Sequence, residues 1–175
     1  MSNGLIEPED YLLWVLRYYL PPMIANAFPV LIGGTKPIDG GKLFVDNKPI
    51  FGKNKTWEGL LLGVIGAYIA GSCIGAFLGE PLTPLLALGA GFSALLGDLL
   101  GAFIKRRLSI KPGDPAPLLD QWDFALAVTA YYYLLGIGDV VLRPLYVVTT
   151  LLLILALHVL TNVVAYALGL KHSKL

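Results

Sequence analysis

Two polar clusters interrupt an otherwise apolar chain, and their residue types suit phosphate chemistry. Lys53, Asn54, Lys55 and Thr56 lie in a glycine- and lysine-rich approach, Gly52 to Gly59, that runs straight into an apolar helix. A helix start attracts anions because its first N–H groups are free and its dipole is positive there. Thr56 is the expected N-cap, its hydroxyl accepting from an N–H one turn on. With Lys53 and Lys55 beside it, the loop could seat a phosphate between backbone N–H groups, a hydroxyl and two ammonium groups. The spacing of a P-loop is absent. The same residues also read as an ordinary capped helix, and Lys36, Lys42 and Lys48 as topology charges or solvated residues.

The second cluster runs from Asp98 to Asp123. Asp98 lies within an apolar run, seven residues and so about 10 Å of helix before Lys105, on the same helix face. A carboxylate at that depth is costly unless paired, hydrated or metal-bound, which makes it a functional candidate. A structural ion pair or a protonated packing acid is the other reading. Asp120 and Asp123 are three apart and share a face. They read as a helix N-cap with a first-turn dipole partner, or as ligands converging with Asp98 on magnesium, a hard cation suited to carboxylates and substrate phosphates. In the metal reading Asp98 and Asp120 are the ligands, and Asp123 adds to the set or orients Asp120. Asp114 reads as a turn residue. His158 reads as a helix-packing residue, and no zinc spacing or Ser-His-Asp set is present.

These clusters must be positioned by membrane helices. Apolar residues make up 56% of the 175 and charged residues 14%, arranged in long runs. That pattern predicts one all-α integral membrane domain over 1–175. A net charge of +1 offers no global field for nucleic acid. One cysteine, Cys73, excludes an intrachain disulfide, and the acidic, polar first ten residues do not resemble a cleavable signal.

Five transmembrane helices are predicted, near Tyr11–Ile32, Glu58–Leu78, Leu82–Ile104, Trp122–Ile137 and Pro144–Leu168. The first carries Arg17 and Pro21-Pro22, so it kinks or begins at the interface. The fourth is short and starts inside the polar loop before it. Five spans place loops 33–57 and 105–121 on one side. That side, with the C-terminal tail, holds eleven of the thirteen basic residues. It is therefore predicted to be cytoplasmic, with the N-terminus outside. Along the second span, Gly59, Gly63, Ala67, Gly71, Gly75 and Gly79 recur every four residues, and Gly89, Ser93, Gly97 and Gly101 do so along the third. Small residues at that spacing let membrane helices approach closely.

Lys-Thr-Trp-Glu-Gly at 55–59, Gly97-Asp98, Ile104-Lys105-Arg106, Lys111 and Asp120-x-x-Asp123 together resemble the motifs of the integral membrane CTP:phosphatidate cytidylyltransferases. Pro-Ile-Asp-Gly-Gly at 37–41 makes the match closer to the archaeal branch, the CDP-archaeol synthases. The resemblance spans about residues 33–125 by motif and the rest by span count. It implies transfer of a cytidylyl group from CTP to an unsaturated archaeal ether lipid phosphate, 2,3-bis-(O-geranylgeranylglyceryl) phosphate, with Mg2+, releasing pyrophosphate. By the same resemblance Asp98 and Asp120 are metal-binding acids, and Lys55, Thr56, Lys105 and Arg106 contact phosphates. Lys53, Asn54, Lys111 and Asp123 complete the candidate nucleotide site, with Lys55, Asp98, Lys105 and Asp120 as the catalytic set. Pro117-Leu118-Leu119 replaces the Gly-His-Gly-Gly run of bacterial relatives, Gln121 an arginine, and Gly101-Ala102 a Glu-Ser pair, so no role passes from that histidine or serine. Phosphatidic acid is the alternative lipid, and a multi-pass carrier or channel the alternative class. A homodimer is an assembly the reading allows.

Overall fold

The computed structural model describes residues 6–32, 34–112, 114, 116 and 118–167. Among them are seven helices and no strands: α1 (Pro8–Tyr18), α2 (Leu20–Ile32), α3 (Trp57–Leu78), α4 (Thr83–Arg107), α5 (Leu119–Leu134), α6 (Gly138–Val141) and α7 (Pro144–Ala167). The expected kink in the first span is the break at Tyr19. Pro21 and Pro22 sit in the first turn of α2, where a missing N–H leaves no intrahelical bond unmade.

Two of these helices, α3 and α4, are long and apolar enough to cross a membrane. Their 22 and 25 residues correspond to about 33 and 37 Å. Both are built inside out relative to a water-soluble helix. The inward face of α3 is Gly59, Gly63, Gly66, Ala67, Gly71 and Gly75. Its outward face presents Leu61, Ile65, Tyr68, Ile69 and Phe77. On α4, Phe92, Leu96, Leu100 and Ile104 likewise face outward while Ala87, Ala90, Gly91 and Ala94 are buried.

The four-residue glycine pattern is explained by these contacts. A Cβ added at Gly63 would lie 2.7 Å from the Ala25 carbonyl oxygen, and one at Gly71 or Gly91 would overlap Ala87 or Ala67. Helices α2, α3 and α4 therefore touch backbone to backbone, the arrangement that lets dispersion and close packing drive association where water does not. A second core, rich in aromatics, joins α1, α5 and α7 through Trp14, Tyr18, Tyr19, Phe124, Tyr132 and Tyr146. The Tyr132 hydroxyl donates to the Tyr18 carbonyl at 2.8 Å, and Tyr19 and Thr129 share a hydrogen bond at 2.7 Å, so the buried phenols are satisfied.

The two polar clusters lie at one end of this bundle. At the opposite end Arg17 pairs with Glu80 and Asp139, while Arg143 pairs with Asp10 and Asp139. This network ties α1 to the α3–α4 turn and to α6.

Candidate active site

The site is organised by the segment before α3. Residues 36–38 run antiparallel to 55–57, with the Ile38 N–H donating to Lys55 O at 2.8 Å and the Trp57 N–H to Lys36 O at 3.0 Å. Asp39 closes the fold of this segment. Its Oδ2 accepts from Phe51 and Gly52 N–H groups at 3.0 and 2.9 Å, and its Oδ1 from Gly41 N–H at 2.9 Å. Burial raises the pKa of this carboxyl, but the three N–H groups outweigh it and hold Asp39 below its ordinary value. Gly52, at φ +100°, turns the chain toward Lys53. Glu58 ties the other strand down, accepting from the Thr35 hydroxyl at 2.8 Å and from the Thr35 and Lys36 N–H groups at 3.2 and 3.3 Å.

Thr56 caps α3 as expected, its hydroxyl accepting the Gly59 N–H at 3.2 Å. This leaves Lys55 at the helix mouth, where its ammonium group reaches Asp98 on α4, at 2.6 Å from Oδ1 and 2.5 Å from Oδ2. A pocket opens here, with a floor of Pro29, Leu60 and Leu95 and a polar wall of Asn54, Lys55, Thr56 and Asp98. One side of the site is thus apolar and the other charged.

A second pair stands on α4 and α5. Lys105 donates to Asp120 Oδ1 at 2.5 Å, and the other oxygen of Asp120 accepts the Ala116 N–H at 2.8 Å. Asp123 connects the two pairs. Its carboxylate rests on Gly101, where a methyl group would overlap Oδ2, and its backbone oxygen rests on Gly97. Residues 98, 101 and 105 share one face of α4, so Asp123 docks against the face that carries both Asp98 and Lys105. The glycines at 97 and 101 are what allow α5 to bring its carboxylates this close.

Two ammonium groups are therefore placed where they can offset the charge of a polyanion, and the hard oxygens of the two acids suit a magnesium ion. Among the described residues no three Asp, Glu, His or Cys side chains form a ready-made metal cage. That is compatible with magnesium, which commonly takes one or two carboxylates and completes its shell with water and substrate phosphate.

A family model for CarS-like CDP-archaeol synthase matches residues 9–174. The chain belongs to the CDP-archaeol synthase family. A CDP-archaeol synthase from Staphylothermus marinus is 51% identical over 175 residues, covering 99% of each chain. One from Hyperthermus butylicus is 40% identical, covering 95% of this chain and 96% of that one. A solved structure, described as an intramembrane enzyme for archaeal membrane lipids biosynthesis, superposes with a TM-score of 0.80 at 38% identity, covering 87% of this chain and 94% of the other.

In this family member the two loops expected to share one side do meet. Lys48 Nζ donates to Arg107 O at 3.0 Å and to the Ser109 hydroxyl at 2.7 Å, and Arg107 pairs with Asp46 at 3.3 Å. Lys48 is therefore a staple between the loops, a correction to its reading as a solvated or topology charge. Asp120 is also not the α5 N-cap. Leu118 occupies that position, and Asp120 lies one residue inside the helix, where it reaches back to Ala116.

Of the other candidate residues, Lys53 and Asn54 are exposed at the mouth and Lys111 is exposed on the second loop. Arg106 is buried, 5% exposed, with Nε and Nη1 lacking a protein partner. It lies behind the loop, its Nε 4.0 Å from where a Gly52 Cβ would stand. Asp114 forms a turn, its N–H donating to Lys111 O at 3.0 Å. Asp39 and Glu58 lie outside the expected set of site residues, although they belong to the Pro-Ile-Asp-Gly-Gly and Lys-Thr-Trp-Glu-Gly motifs. An Asp followed by two glycines was the available signal, since Asx turns favour that pattern.

Proposed function

We propose that this chain transfers CMP from CTP to an unsaturated archaeal ether lipid phosphate, giving CDP-archaeol and pyrophosphate. The observation that carries this reading is the double Lys–Asp constellation on membrane-length α4: Lys55–Asp98 in the wall of a pocket with an apolar floor, and Lys105–Asp120 on the same face of α4. In the reaction a phosphate oxygen of the lipid attacks the α-phosphorus of CTP and the bond to pyrophosphate breaks. A phosphate monoester is already an anionic nucleophile at neutral pH, so no strong base is needed. Repulsion between two anions is the main obstacle, and charge neutralisation with alignment removes it.

Lys55 and Lys105 supply mobile positive charge on either side of Asp123. The α3 N-terminus adds a fixed positive dipole, Lys53 adds an exposed cation at the mouth, and the buried Arg106 adds positive charge behind the loop. Asp98 and Asp120 are the residues that would hold Mg2+, which when bound adds charge neutralisation and phosphate alignment. Asn54 and Thr56 line the seat, and Lys111 and Asp123 complete it. The lipid tails lie against the apolar floor and the outer faces of α3 and α4.

The same reading places five crossings in the membrane: α1 with α2, α3, α4, α5 and α7. The excess of basic residues in the site loops favours a cytoplasmic site and an external N-terminus.

The test is pyrophosphate release from the purified chain in liposomes, crossing CTP and dCTP with ether and ester lipid phosphates. Release that requires CTP and the ether lipid phosphate is the expected result. Equal turnover of phosphatidic acid would reassign the lipid, and no release with any pair would reject the enzyme. Asp98→Asn is expected to lower turnover by about 100-fold or more.

A further inference from the structure

The segment between the two halves of the site loop ends in an apolar tip that the proposed chemistry does not use. Leu43 is 57% exposed, Phe44 41% and Val45 90%. They stand on a tight hairpin in which Phe44 N–H donates to Lys48 O at 2.8 Å and Leu43 pairs with Pro49. Asn47 at φ +59° makes the turn, and the Lys48 N–H donates to Asp46 Oδ1 at 3.1 Å. A solvated hairpin tip has no reason to carry three consecutive large apolar residues.

The position of the tip gives the reason. Phe44 packs edge-on against Phe103 of α4, with ring centroids 5.3 Å apart. The Arg107 guanidinium covers both rings, at 4.8 and 4.7 Å. Phe103 and Arg107 adjoin the stripe of α4 formed by Leu96, Leu100 and Ile104, all exposed. That stripe lies on the opposite side of α4 from Asp98 and Lys105. It is also the outward, large-residue face of a membrane-length helix. The hairpin thus reaches past the site to the flank of α4 and extends its lipid-facing surface at the level of the last helical turns. Arg107, over two rings, donates from Nη2 to the Pro49 carbonyl and pairs with Asp46, so an apolar stem and rings stand beside a charged head at the end of α4, the composition of a hydrocarbon–headgroup boundary. Lys42, exposed beside the tip, adds positive charge where phospholipid phosphates would lie.

We propose that Leu43, Phe44 and Val45 insert into the bilayer interface and anchor the site loop to the leaflet from which lipid substrate enters. The occupant of this surface is lipid, because the tip is continuous with the exposed apolar face of α4. The proposal rests on the membrane placement of α4 and only its last clause on the reading of the reaction, so the test uses no turnover measurement.

In a Cys73→Ala background, a nitroxide is attached at Val45→Cys in the full chain, reconstituted in phosphatidylcholine–phosphatidylglycerol vesicles. Collision rates with oxygen and with a water-soluble nickel chelate are compared with those at Leu100→Cys and Lys53→Cys. The expected oxygen-to-nickel ratio at position 45 is several-fold above that at 53 and close to that at 100. A ratio equal to that at 53 overturns the anchor. So does exclusion of both reagents with spin–spin broadening that unlabelled protein dilutes away, which would assign the tip to a second copy. A label at Leu43→Cys should lose its high ratio when Val45→Asp is added, with the label at 100 unmoved. Retention of the ratio there also overturns the anchor.

Discussion

Lys55 and Asp98 are separated by 43 positions in the chain, yet the ammonium nitrogen lies 2.6 Å from carboxylate oxygen Oδ1 and 2.5 Å from Oδ2. The acid proposed to hold a metal and the base proposed to hold a phosphate therefore neutralise each other when neither ligand is bound. Binding either ligand means parting them.

Replacing Lys55 with methionine separates these roles. Turnover should fall by about 100-fold or more, since a charge facing the transferring phosphate is lost. Binding of Mn2+ alone, followed by its EPR signal, should be retained or tightened because Asp98 no longer has a competing cation. Weaker Mn2+ binding in this variant would argue against Asp98 as a ligand.

Gly101→Ala probes the docking of Asp123. The added methyl overlaps Asp123 Oδ2, so α5 must shift or the carboxylate must turn away. Overpacking of this kind costs about 1–3 kcal/mol. The expected outcome is a lower melting temperature together with a loss of pyrophosphate release. Gly79→Ala, where no atom stands within 4 Å but φ is +71°, should cost stability without touching turnover. Wild-type activity in Gly101→Ala would show that Asp123 need not sit on α4.

Asp39 makes the site loop sensitive to acid. Its pKa is held below 3.8, so the folded state favours the ionised form more than the unfolded state does. The stabilisation is complete above about pH 3.8 and fades as pH falls through the lower folded value. Protection factors for exchange at the Phe51 and Gly52 amides, taken relative to the intrinsic rate at each pH, should fall over that window in the wild type. Asp39→Asn, which cannot ionise, should show faster exchange at neutral pH and no corresponding acid step.

Arg17 belongs to the far end of the bundle. Arg17→Met removes the links to Glu80 and Asp139, both partly exposed, and should cost only about 1 kcal/mol. Turnover at a temperature where the variant is folded should be unchanged. A large drop in kcat would mean that the two ends of the bundle are coupled.

The helices were legible because lipid-facing and glycine-packed residues alternate along α3 and α4 at a spacing that no loop would keep. Counting five spans puts loops 33–57 and 105–121 on one side, and the Lys48 and Arg107 contacts bring the two loops together at one end of the bundle. Thr56 was legible because a cap is a local device. What could not be read was which lysine meets which aspartate. Lys105 lies on the same α4 face as Asp98, yet it pairs with Asp120, because Gly97 and Gly101 admit α5 into the space between. Such a choice depends on the approach of two helices, which a one-dimensional pattern does not specify. Lys48 was misread for a related reason. A lysine in a turn looks solvated until the end of α4 supplies Arg107 O and Ser109.

In both salt-bridged pairs the lysine precedes its aspartate along the chain. A ribosome therefore delivers each base before the acid it will meet. When the α3–α4 hairpin is threaded into a bilayer, Asp98 arrives with its counter-ion already synthesised and waiting at the leaflet, and Asp120 follows Lys105 in the same way. For these two acids the order of synthesis makes a counter-ion available from the start.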